Sequence, residues 1–208
     1  MLIETSKDPI PYQTALQQME AYVAEIITND APDKLWLLEH PDTYTMGVSG
    51  NEAELLNQEV NLIKTNRGGK ITYHGPGMRI AYFMCDLKRR KACDIKKYVY
   101  DLEEVVIRSL QSLGITAERR EQRIGLWVIN GKQEDKIAAI GVRARKWVCF
   151  HGFACNISPD LSKFNNIIPC GINDANYGVT SLEKLGIKLA FNEFDEILIQ
   201  KFKEVFGA

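Results

Sequence analysis

Apolar residues recur three or four positions apart in three stretches of the chain, which is the spacing of a helix that buries one face. The first stretch covers residues 11–28 and begins with a proline, which suits the first helical turn. The second covers residues 99–113, and Gly114 stands where a helix usually stops. The third runs from Asn192, a suitable helix cap, to Val205. The pattern therefore predicts three helices.

Short apolar runs bounded by turn-forming residues predict strands between these helices. The predicted strands cover residues 35–38, 43–46, 61–65, 80–85, 126–129, 137–142, 147–150 and 153–157. Several strands follow one another without a helix between them, and this order favours an α+β fold over alternating β and α units. We therefore predict a mainly antiparallel or mixed central sheet flanked by helices. Since no linker or internal repeat interrupts the chain, we expect a single domain over residues 1–208.

The composition is that of an ordinary globular protein, with 45% hydrophobic and 25% charged residues. The longest apolar runs are too short to span a bilayer, and the N-terminus lacks the features of a signal or transit peptide. We therefore expect a cytoplasmic protein that does not bind membranes. The five cysteines are odd in number and show no C-x-x-C spacing, which argues against a disulfide framework and against a metal site.

Charge is distributed unevenly, although the net charge is only −1. Residues 1–60 carry eleven acidic residues against two lysines, whereas residues 64–97 carry ten basic residues against two acidic ones. The second segment therefore has a local charge of about +8, which favours an acidic partner or an anionic substrate. Nucleic acid is the generic alternative. The slightly acidic chain and the absence of a nucleic-acid-binding motif argue against it.

Residues 67–78, with the sequence RGGKITYHGPGM, contain four glycines and one proline. Glycine lets the backbone approach a bound group closely and reach positive φ, so polar side chains set among glycines suggest a ligand cradle. A tight hairpin turn is the alternative, because Gly-Pro-Gly is common turn chemistry. The polar side chains Arg67, Lys70, Thr72 and His74 favour the cradle.

Cys170 is the main candidate for a reactive residue. It lies between Pro169 and Gly171, which suit an exposed loop better than a buried strand. The nucleophilic form of cysteine is the thiolate, and only about 3% of a thiol with an unperturbed pKa is ionised at pH 7. The other cysteines are expected to be structural or incidental, since apolar strands contain Cys85, Cys149 and Cys155, and a polar stretch contains Cys93.

A cation near Cys170 would favour its thiolate, and the sequence offers histidine or lysine for this role. His74 and His151 are each followed by glycine, which suits the lining of one cleft, whereas His40 precedes a proline and fits a turn. Lys136 opens an apolar strand, where a lysine is normally a solvated strand end. Residue spacing by itself does not choose between Lys136 and the histidines.

Five motifs follow one another between residues 35 and 185. They are Glu39-His-Pro-x-x-Tyr-Thr-x-Gly47, Arg67-Gly-Gly-x-x-Thr-Tyr-His-Gly-Pro-Gly77, Lys136-Ile-Ala-x-x-Gly141, His151-Gly-x-Ala-x-Asn156 and Pro169-Cys-Gly171. In this order they resemble the lipoyl(octanoyl) transferase family, the octanoyl-carrier-protein:protein octanoyltransferases. Because five separate motifs agree, the resemblance is highly specific.

The resemblance implies the α+β fold shared by biotin and lipoate ligases, and a two-step acyl transfer without a cofactor. Cys170 would attack the thioester of an octanoylated acyl carrier protein and hold the octanoyl or lipoyl group as a thioester. A lysine on a lipoyl domain of a 2-oxoacid dehydrogenase, or on the glycine-cleavage carrier protein, would then accept the group. This transfer is the first step of protein lipoylation.

The same resemblance assigns roles to further residues. Lys136 would lower the pKa of Cys170. The residues implied to bind the substrate are Arg67, Gly68, Gly69, Lys70, Ile71, Thr72, Tyr73, His74, Ala139, Ile140, Gly141, Gly152, Phe153 and Ala154.

Two residues depart from the family pattern. Met78 stands where glutamine is usual, so that one side-chain hydrogen bond near the cleft is lost or replaced, and Ala139 stands where serine is common. Both protein substrates of the family are typically acidic. We therefore also expect the basic residues 88–91, with Lys96 and Lys97, to dock the carrier protein.

Three alternatives share parts of this pattern. An ATP-dependent lipoate or biotin ligase would use the same fold but would have no need of Cys170. A cysteine thioesterase would form the same acyl-enzyme and release it to water. A carrier-binding module would use the basic face alone and perform no chemistry.

Overall fold

The computed structural model describes residues 1–121, 123–168 and 176–207 of the chain. The helices of this part are α1 (Tyr12–Asn29), α2 (Ile95–Gln111) and α3 (Phe191–Phe206). Its strands are β1 (Leu2–Thr5), β2 (Lys34–Leu38), β3 (Thr43–Met46), β4 (Leu62–Lys64), β5 (Ile71–His74), β6 (Met78–Asp86), β7 (Glu118–Arg119), β8 (Leu126–Asn130), β9 (Gln133–Arg145), β10 (Val148–Asn156) and β11 (Tyr177–Val179). Short 3₁₀ helices cover Glu52–Glu54 and Leu161–Asn166.

A large mixed sheet forms the centre of the fold, with the strand order β1-β2-β6-β10-β9-β8-β7 and with β11 beside β9. Most neighbours in it are antiparallel, whereas β1 with β2 and β11 with β9 are parallel. A second, three-stranded sheet has the order β4-β3-β5. The mixed sheet and its flanking helices confirm the predicted α+β fold class.

Strand β6 separates two apolar cores, because neighbouring residues of a strand point to opposite faces. Ala81 and Phe83 pack in the core that includes α2 and α3, whereas Ile80 and Tyr82 pack in the core that includes α1. Helices thus cover both faces of the sheet. This explains why β6 is buried from Met78 onwards until its last residue.

The C-terminal helix α3 belongs to the first of these cores. Phe194 and Phe202 are fully buried, and the rings of Phe202 and Phe83 meet edge to face with centroids 5.4 Å apart. Arg79 at the start of β6 forms a buried ion pair with Asp195 of α3, with 2.9 Å between Nε and Oδ1. Apolar packing and one buried ion pair therefore attach the end of the chain to its central strand.

The helices match their predictions within a few residues, and the main differences lie at their N-terminal ends. Helix α2 begins at Ile95 because the carboxylate of Asp94 accepts a backbone N–H of the first turn. Ala190, and not the predicted Asn192, precedes the first turn of α3. Its N–H donates to Oε2 of Glu193 at 2.8 Å, so a residue inside the helix supplies the cap.

The strands differ from their prediction in three places. Residues 147–150 and 153–157 lie in one strand, β10, because the pairing register continues through His151 in spite of its positive φ of 61°. Residues Ile71–His74, for which the sequence predicts no strand, form β5. Strand β1 has no apolar pattern that predicts it, since its four residues are exposed.

Gly152 marks a close contact between β10 and β6. A Cβ at this position would lie 2.1 Å from the carbonyl oxygen of Ala81, which is backbone and cannot turn away. We expect Gly152→Ala to lower the free energy of unfolding by roughly 1–3 kcal/mol, because the two strands have to move apart. Urea unfolding curves of the variant and the wild type measure this difference.

Gly178→Ala is the matched control for this substitution. The added Cβ would lie 2.4 Å from Oδ1 of Asp135, which is the end of a flexible side chain. We expect this control to lose less stability than Gly152→Ala. Equal unfolding midpoints for the two variants would contradict the importance of the strand spacing at Gly152.

Candidate active site

A cavity of about 480 Å³ lies between the glycine-rich segment and strands β9 and β10. Residues 67–72 and His74 form one wall, and residues 139–142 and 151–154 form the other. Thirteen of the fourteen residues implied to bind the substrate line this cavity, and Lys136 lines it as well. The tertiary fold therefore brings separate sequence motifs to one place.

Tyr73 does not line the cavity, unlike the other residues implied to bind the substrate. It lies between Thr72 and His74 on β5, and successive side chains of a strand point to opposite faces. Its hydroxyl donates to Oδ1 of Asp42 at 2.7 Å, and its ring packs against that of Phe164. The structure therefore gives Tyr73 a packing role.

The glycine-rich segment approaches β9 so closely that it leaves no room for side chains. The N–H of Gly68 donates to the carbonyl of Val142 at 2.9 Å, and a Cβ on Gly141 would lie 2.8 Å from the carbonyl oxygen of Gly68. In the second half of the segment, the N–H of Met78 donates to the carbonyl of Gly75 and closes a turn into β6. The first half of the glycine-rich segment therefore forms a cavity wall, and the second half forms a turn.

Both basic residues of this segment are bound by other groups of the protein. Arg67 is buried, and its guanidinium donates to Oγ1 of Thr45 at 2.7 Å and to the carbonyl oxygens of Thr45, Gly68 and Lys70. Lys70 forms an ion pair with Glu54, with 2.6 Å between Nζ and Oε1. Arg67 therefore fixes the loop to β3 and places a positive charge in the cavity wall.

Lys136 lies near the start of β9, with its backbone between Trp127 of β8 and Val179 of β11. The residue is buried. Its Nζ donates to the carbonyl oxygen of Ile124 at 2.8 Å and lies 4.7 Å from the centroid of the Trp127 ring. The fold therefore removes Lys136 from solvent, unlike most lysines at the start of a strand.

Cys170 lies outside the described residues, as do Pro169 and Gly171. The described chain resumes just before β11. This short strand runs parallel to β9, so that Val179 lies beside Lys136. Strand β11, which follows the Pro-Cys-Gly motif in the sequence, is therefore held beside the start of β9 by the sheet.

The three histidines gather beside the cavity with Tyr12 and Tyr82. Ring centroids are 5.2 Å apart for Tyr12 and His40, 5.8 Å for His40 and His74, and 5.9 Å for Tyr82 and His151. Nε2 of His40 lies 2.7 Å from the hydroxyl of Tyr82. In residues 1–121, 123–168 and 176–207, no histidine, cysteine, aspartate and glutamate side chains group in a way that suits a metal ion.

Burial keeps these histidines uncharged. It lowers the pKa of His40 to about 4 and that of His151 to about 3, and the charge of Arg67 adds to the effect at His151. Burial also lowers the pKa of His74 well below its usual value, with further contributions from His40, Arg67 and His151. At neutral pH the histidines therefore offer a thiol no positive charge. This electrostatic result favours Lys136, which residue spacing did not.

Three of the other four cysteines have environments that suppress reactivity. Cys85, Cys149 and Cys155 are fully buried. Burial raises the pKa of the Cys149 and Cys155 thiols to about 12, and it also raises the pKa of Cys85. Cys93 is exposed. The prediction that the three strand cysteines are buried structural residues is confirmed.

Met78 and Ala139, the two departures from the family pattern, both lie near Lys136. With Thr72 and Asn156 they line a small cavity of about 20 Å³, which has room for one water molecule. Met78 is buried in the apolar core that includes α1. It presents a thioether, which is only a weak hydrogen-bond acceptor, where glutamine would present an amide.

Some residues of the site have no motif that predicts them. Tyr12 and Tyr82 line the cavity from a helix and a strand that the sequence identifies only by their apolar pattern. Trp127 belongs to the apolar run 126–129, and Ile124 precedes it. Strand register, and not local sequence, brings these side chains to the site.

Comparison with known proteins identifies related sequences and folds. The sequence model of the lipoyl protein ligase A/B catalytic domain matches residues 11–203. An octanoyltransferase of Nitrobacter winogradskyi is 50% identical over 207 residues, which are 98% of this chain and 89% of that protein. An octanoyltransferase of Nitrobacter hamburgensis is 51% identical over 208 residues, covering 98% of this chain and 86% of that protein.

Solved structures show that the fold is also similar to that of known proteins. The bipartite lipoate protein ligase from Thermoplasma acidophilum has a TM-score of 0.72 at 18% identity, and the match covers 99% of this chain and 83% of that one. A biotin protein ligase from Aquifex aeolicus has a TM-score of 0.58 at 12% identity, with 99% of this chain and 68% of that one covered. The expected fold of lipoate and biotin ligases is thereby confirmed.

The chain belongs to the lipoyl protein ligase A/B catalytic-domain family. Its relatives at about half identity are octanoyltransferases, and the protein is an acyltransferase that transfers octanoyl groups in protein lipoylation. Within the described part of the chain, every helix is too short or too polar to cross a membrane.

The buried histidines predict a loss of stability in acid. Histidines of the unfolded chain bind protons below pH 6.5, whereas folded His40 and His151 stay neutral down to about pH 4 and pH 3. Their contribution to the free energy of unfolding is therefore fully present above pH 6.5 and falls as the pH decreases towards 4. One pKa unit corresponds to about 1.4 kcal/mol, so His40 accounts for roughly 3 kcal/mol of this fall.

His40→Gln removes one titrating group and keeps hydrogen-bonding capacity at that position. We expect its free energy of unfolding to fall less between pH 7 and pH 4 than that of the wild type, as measured by urea unfolding at several pH values. Parallel profiles for the two proteins would show that His40 already binds a proton in the folded state.

Proposed function

We propose that this enzyme takes an octanoyl or lipoyl group from an acyl carrier protein onto Cys170 as a thioester. It then passes the group to a lysine of a lipoyl domain, on a 2-oxoacid dehydrogenase or on the glycine-cleavage carrier protein. One catalytic domain over residues 1–208 performs both steps in the cytoplasm without a cofactor. The main support is the buried Lys136 beside a cavity whose three neighbouring histidines are uncharged.

In the first step the thiolate of Cys170 attacks the thioester carbon of the donor. A new carbon–sulfur bond forms, the bond to the carrier's thiol breaks, and the departing thiolate takes up a proton. Lys136 holds the proton that the Cys170 thiol gives up and returns it to the departing sulfur. An ammonium near a thiol favours the thiolate, and a decrease of two pKa units corresponds to about 2.7 kcal/mol.

In the second step the neutral ε-amine of the acceptor lysine attacks the acyl carbon. The amide carbon–nitrogen bond forms, the carbon–sulfur bond to Cys170 breaks, and the proton released by the amine passes to the cysteine sulfur. Lys136 is the group placed to carry this proton as well. The enzyme is thereby returned to its starting state, and one thioester has been exchanged for one amide.

The cavity wall suits an aliphatic acyl chain. Ile80, Ile140 and Phe153 contribute apolar surface, and the uncharged histidines add no formal charge. Burying the six methylenes of an octanoyl chain is worth roughly 5 kcal/mol. We place the thioester near Lys136 and the chain along β9 towards Gly141.

An ATP-dependent ligase shares the fold but needs no acyl-enzyme, which distinguishes it by experiment. We expect a persistent octanoyl adduct after incubation with octanoylated acyl carrier protein in the absence of ATP, measured by intact-protein mass spectrometry. Cys170→Ser removes the proposed nucleophile and should abolish the adduct. Cys93→Ala, the matched control, removes an exposed cysteine and should retain it.

Each other outcome of this measurement selects another interpretation. An adduct that persists in Cys170→Ser would place the acyl group elsewhere and contradict the proposal. Failure of the wild type to form any adduct would favour the ligase or the carrier-binding module. An adduct that decays to free octanoate without an acceptor would favour the thioesterase.

The basic run expected to dock the carrier protein is narrower than the sequence suggests. Arg89 pairs with Asp30 and Asp33, at N–O distances of 2.8 and 2.6 Å. Arg90 pairs with Asp33 at 2.6 Å and donates to the carbonyl oxygen of Phe206. These guanidinium groups join the ends of α1 and α3 to the segment after β6, so their charges are paired with carboxylates of the same chain.

We propose that the exposed residues Lys88, Lys91 and Lys96 form the docking surface for the carrier protein. Replacing all three with glutamate should raise the KM for octanoylated carrier protein several-fold and flatten its salt dependence. Charges at the rim of an interface act mainly on the association rate and are screened by salt. Initial rates with the carrier protein and with a small octanoyl thioester, at several salt concentrations, measure the effect.

A matched variant controls for the change in net charge. In this variant glutamate replaces three exposed lysines elsewhere on the surface, Lys7, Lys132 and Lys188. We expect this control to keep its KM for the carrier protein. If the docking variant loses as much activity with the small thioester as with the carrier protein, the three lysines do not form a docking surface.

A further inference from the structure

We propose that Trp127 is a positioning residue that holds the Lys136 ammonium in place beside the thiol of Cys170. This role rests on the proposed function, since it acts only through Lys136. Residues 123–127 surround the end of the Lys136 side chain, and we call them the lysine clamp. Two contacts from this segment, with the carbonyl oxygen of Ile124 and with the ring of Trp127, restrict the position of the Lys136 nitrogen.

A register shift in the sheet places the two side chains on the same face. Leu126 of β8 pairs with Ala138 of β9, but the next residue, Trp127, pairs with Lys136, so the pairing skips Ile137. Directly paired residues point to the same face of a sheet. In a regular ladder Trp127 would pair with Ile137, and Lys136 would lie on the opposite face. Such irregularities re-aim side chains next to active sites.

The indole ring of Trp127 covers the Lys136 ammonium at short range. Nζ lies 4.7 Å from the ring centroid, and Trp127 is only 2% exposed. A cation over the face of an indole is attracted by the ring's negative face, most strongly where water is excluded. Nζ also donates to the carbonyl oxygen of Ile124 at 2.8 Å. Both contacts restrict the position of the amine.

The indole is itself held by its neighbours. Its Nε1 donates to the carbonyl oxygen of Arg123 at 3.1 Å, and the guanidinium of Arg123 lies 4.9 Å from the ring centroid of Trp127. Tyr177 of β11 contacts the ring edge to face, with centroids 6.1 Å apart. The ring therefore cannot turn away from Lys136 without breaking these contacts.

Gly125 leaves the space that the ammonium occupies. A Cβ at this position would lie 3.0 Å from Nζ and Cε of Lys136 and 2.7 Å from the carbonyl oxygen of Ala138. The backbone of Gly125 has a φ of +118° and its N–H donates to Oε1 of Glu103 on α2 at 3.2 Å. The carbonyl oxygen of Ile124 and the ring of Trp127 thus contact the Lys136 amine, and the absence of a side chain at Gly125 leaves room for it.

The restraint matters because lysine has a flexible side chain with a compact charge at its end. A group that moves protons must stay within hydrogen-bond reach of its partner. Loss of the ring would let the ammonium move away from Cys170, and the pKa of the thiol would then rise towards its usual value. Trp127 therefore influences the thiol through the position of Lys136.

The rate of Cys170 alkylation by iodoacetamide, measured against pH by peptide mass spectrometry, tests this role. The experiment uses full-length Cys93→Ala protein, so that the exposed cysteine does not consume the reagent. We expect Trp127→Leu to slow alkylation at pH 7 by roughly three- to tenfold and to change it little at pH 9.5, where most of any thiol is ionised. Lys136→Ala should give a shift at least as large.

Fluorinated tryptophans incorporated at position 127 separate the cation contact from packing. They withdraw negative charge from the face of the ring but keep its shape. Because the packing is unchanged, these proteins should fold even if Trp127→Leu does not. We expect the midpoint of the alkylation curve to move to higher pH as the number of fluorines increases. The kcat should fall in parallel, with little change in the KM for octanoylated carrier protein.

The outcomes distinguish this role from the proposed function. Superimposable curves for tryptophan and its fluorinated forms, together with a shift in Lys136→Ala, would overturn the role of Trp127 and leave the proposed function intact. If Lys136→Ala itself leaves the curve unchanged, the proposed function fails, and the positioning role fails with it.

Discussion

Strand β9 changes its hydrogen-bonded partners along its length, and the site lies where the partners change. On one edge, β11 beside the start of the strand gives way to β10. On the other edge, β8 gives way to the glycine-rich segment, whose Gly68 N–H reaches the carbonyl of Val142. A buried strand must satisfy its backbone N–H and C=O groups, so these exchanges determine where the chain enters and leaves the sheet. Lys136 and the cavity wall both depend on them.

Burial and local contacts determine which basic side chains of the site carry a charge. The fold keeps Arg67 in the wall by surrounding its guanidinium with carbonyl oxygens, whereas it keeps three histidines neutral by burying them. Lys136 differs again, because its Nζ contacts a carbonyl oxygen and an indole ring. The chemical difference between these basic residues thus comes from their burial and partners as well as from their residue types.

The same architecture supports ligases and this transferase. The Thermoplasma acidophilum lipoate ligase matches nearly the whole chain in fold at only 18% identity. A fold shared at that level positions a cavity but does not specify the reaction performed in it. For this chain the specific features are the lysine clamp, which lies near the start of β9, and the Pro-Cys-Gly motif of the sequence.

Much of the fold follows from local pattern, since periodicity is a property of neighbouring residues. Helix α1 and strand β6 are predicted almost to the residue, because the helix buries one apolar face and the strand buries both of its faces. The fully exposed β1 has no such pattern. The first half of the glycine-rich segment was also predictable as a cavity wall, because a close approach between two backbones requires glycine.

The sequence by itself determined the fold class, the family and most residues of the two cavity walls, because motif order and apolar spacing are visible along the chain. Only the tertiary structure decided that Tyr73 faces away, that Arg89 is paired internally, and that the histidines are uncharged. It alone also places Trp127 over Lys136. Burial, ion pairing and strand register depend on residues that are distant in sequence, and no local pattern records them.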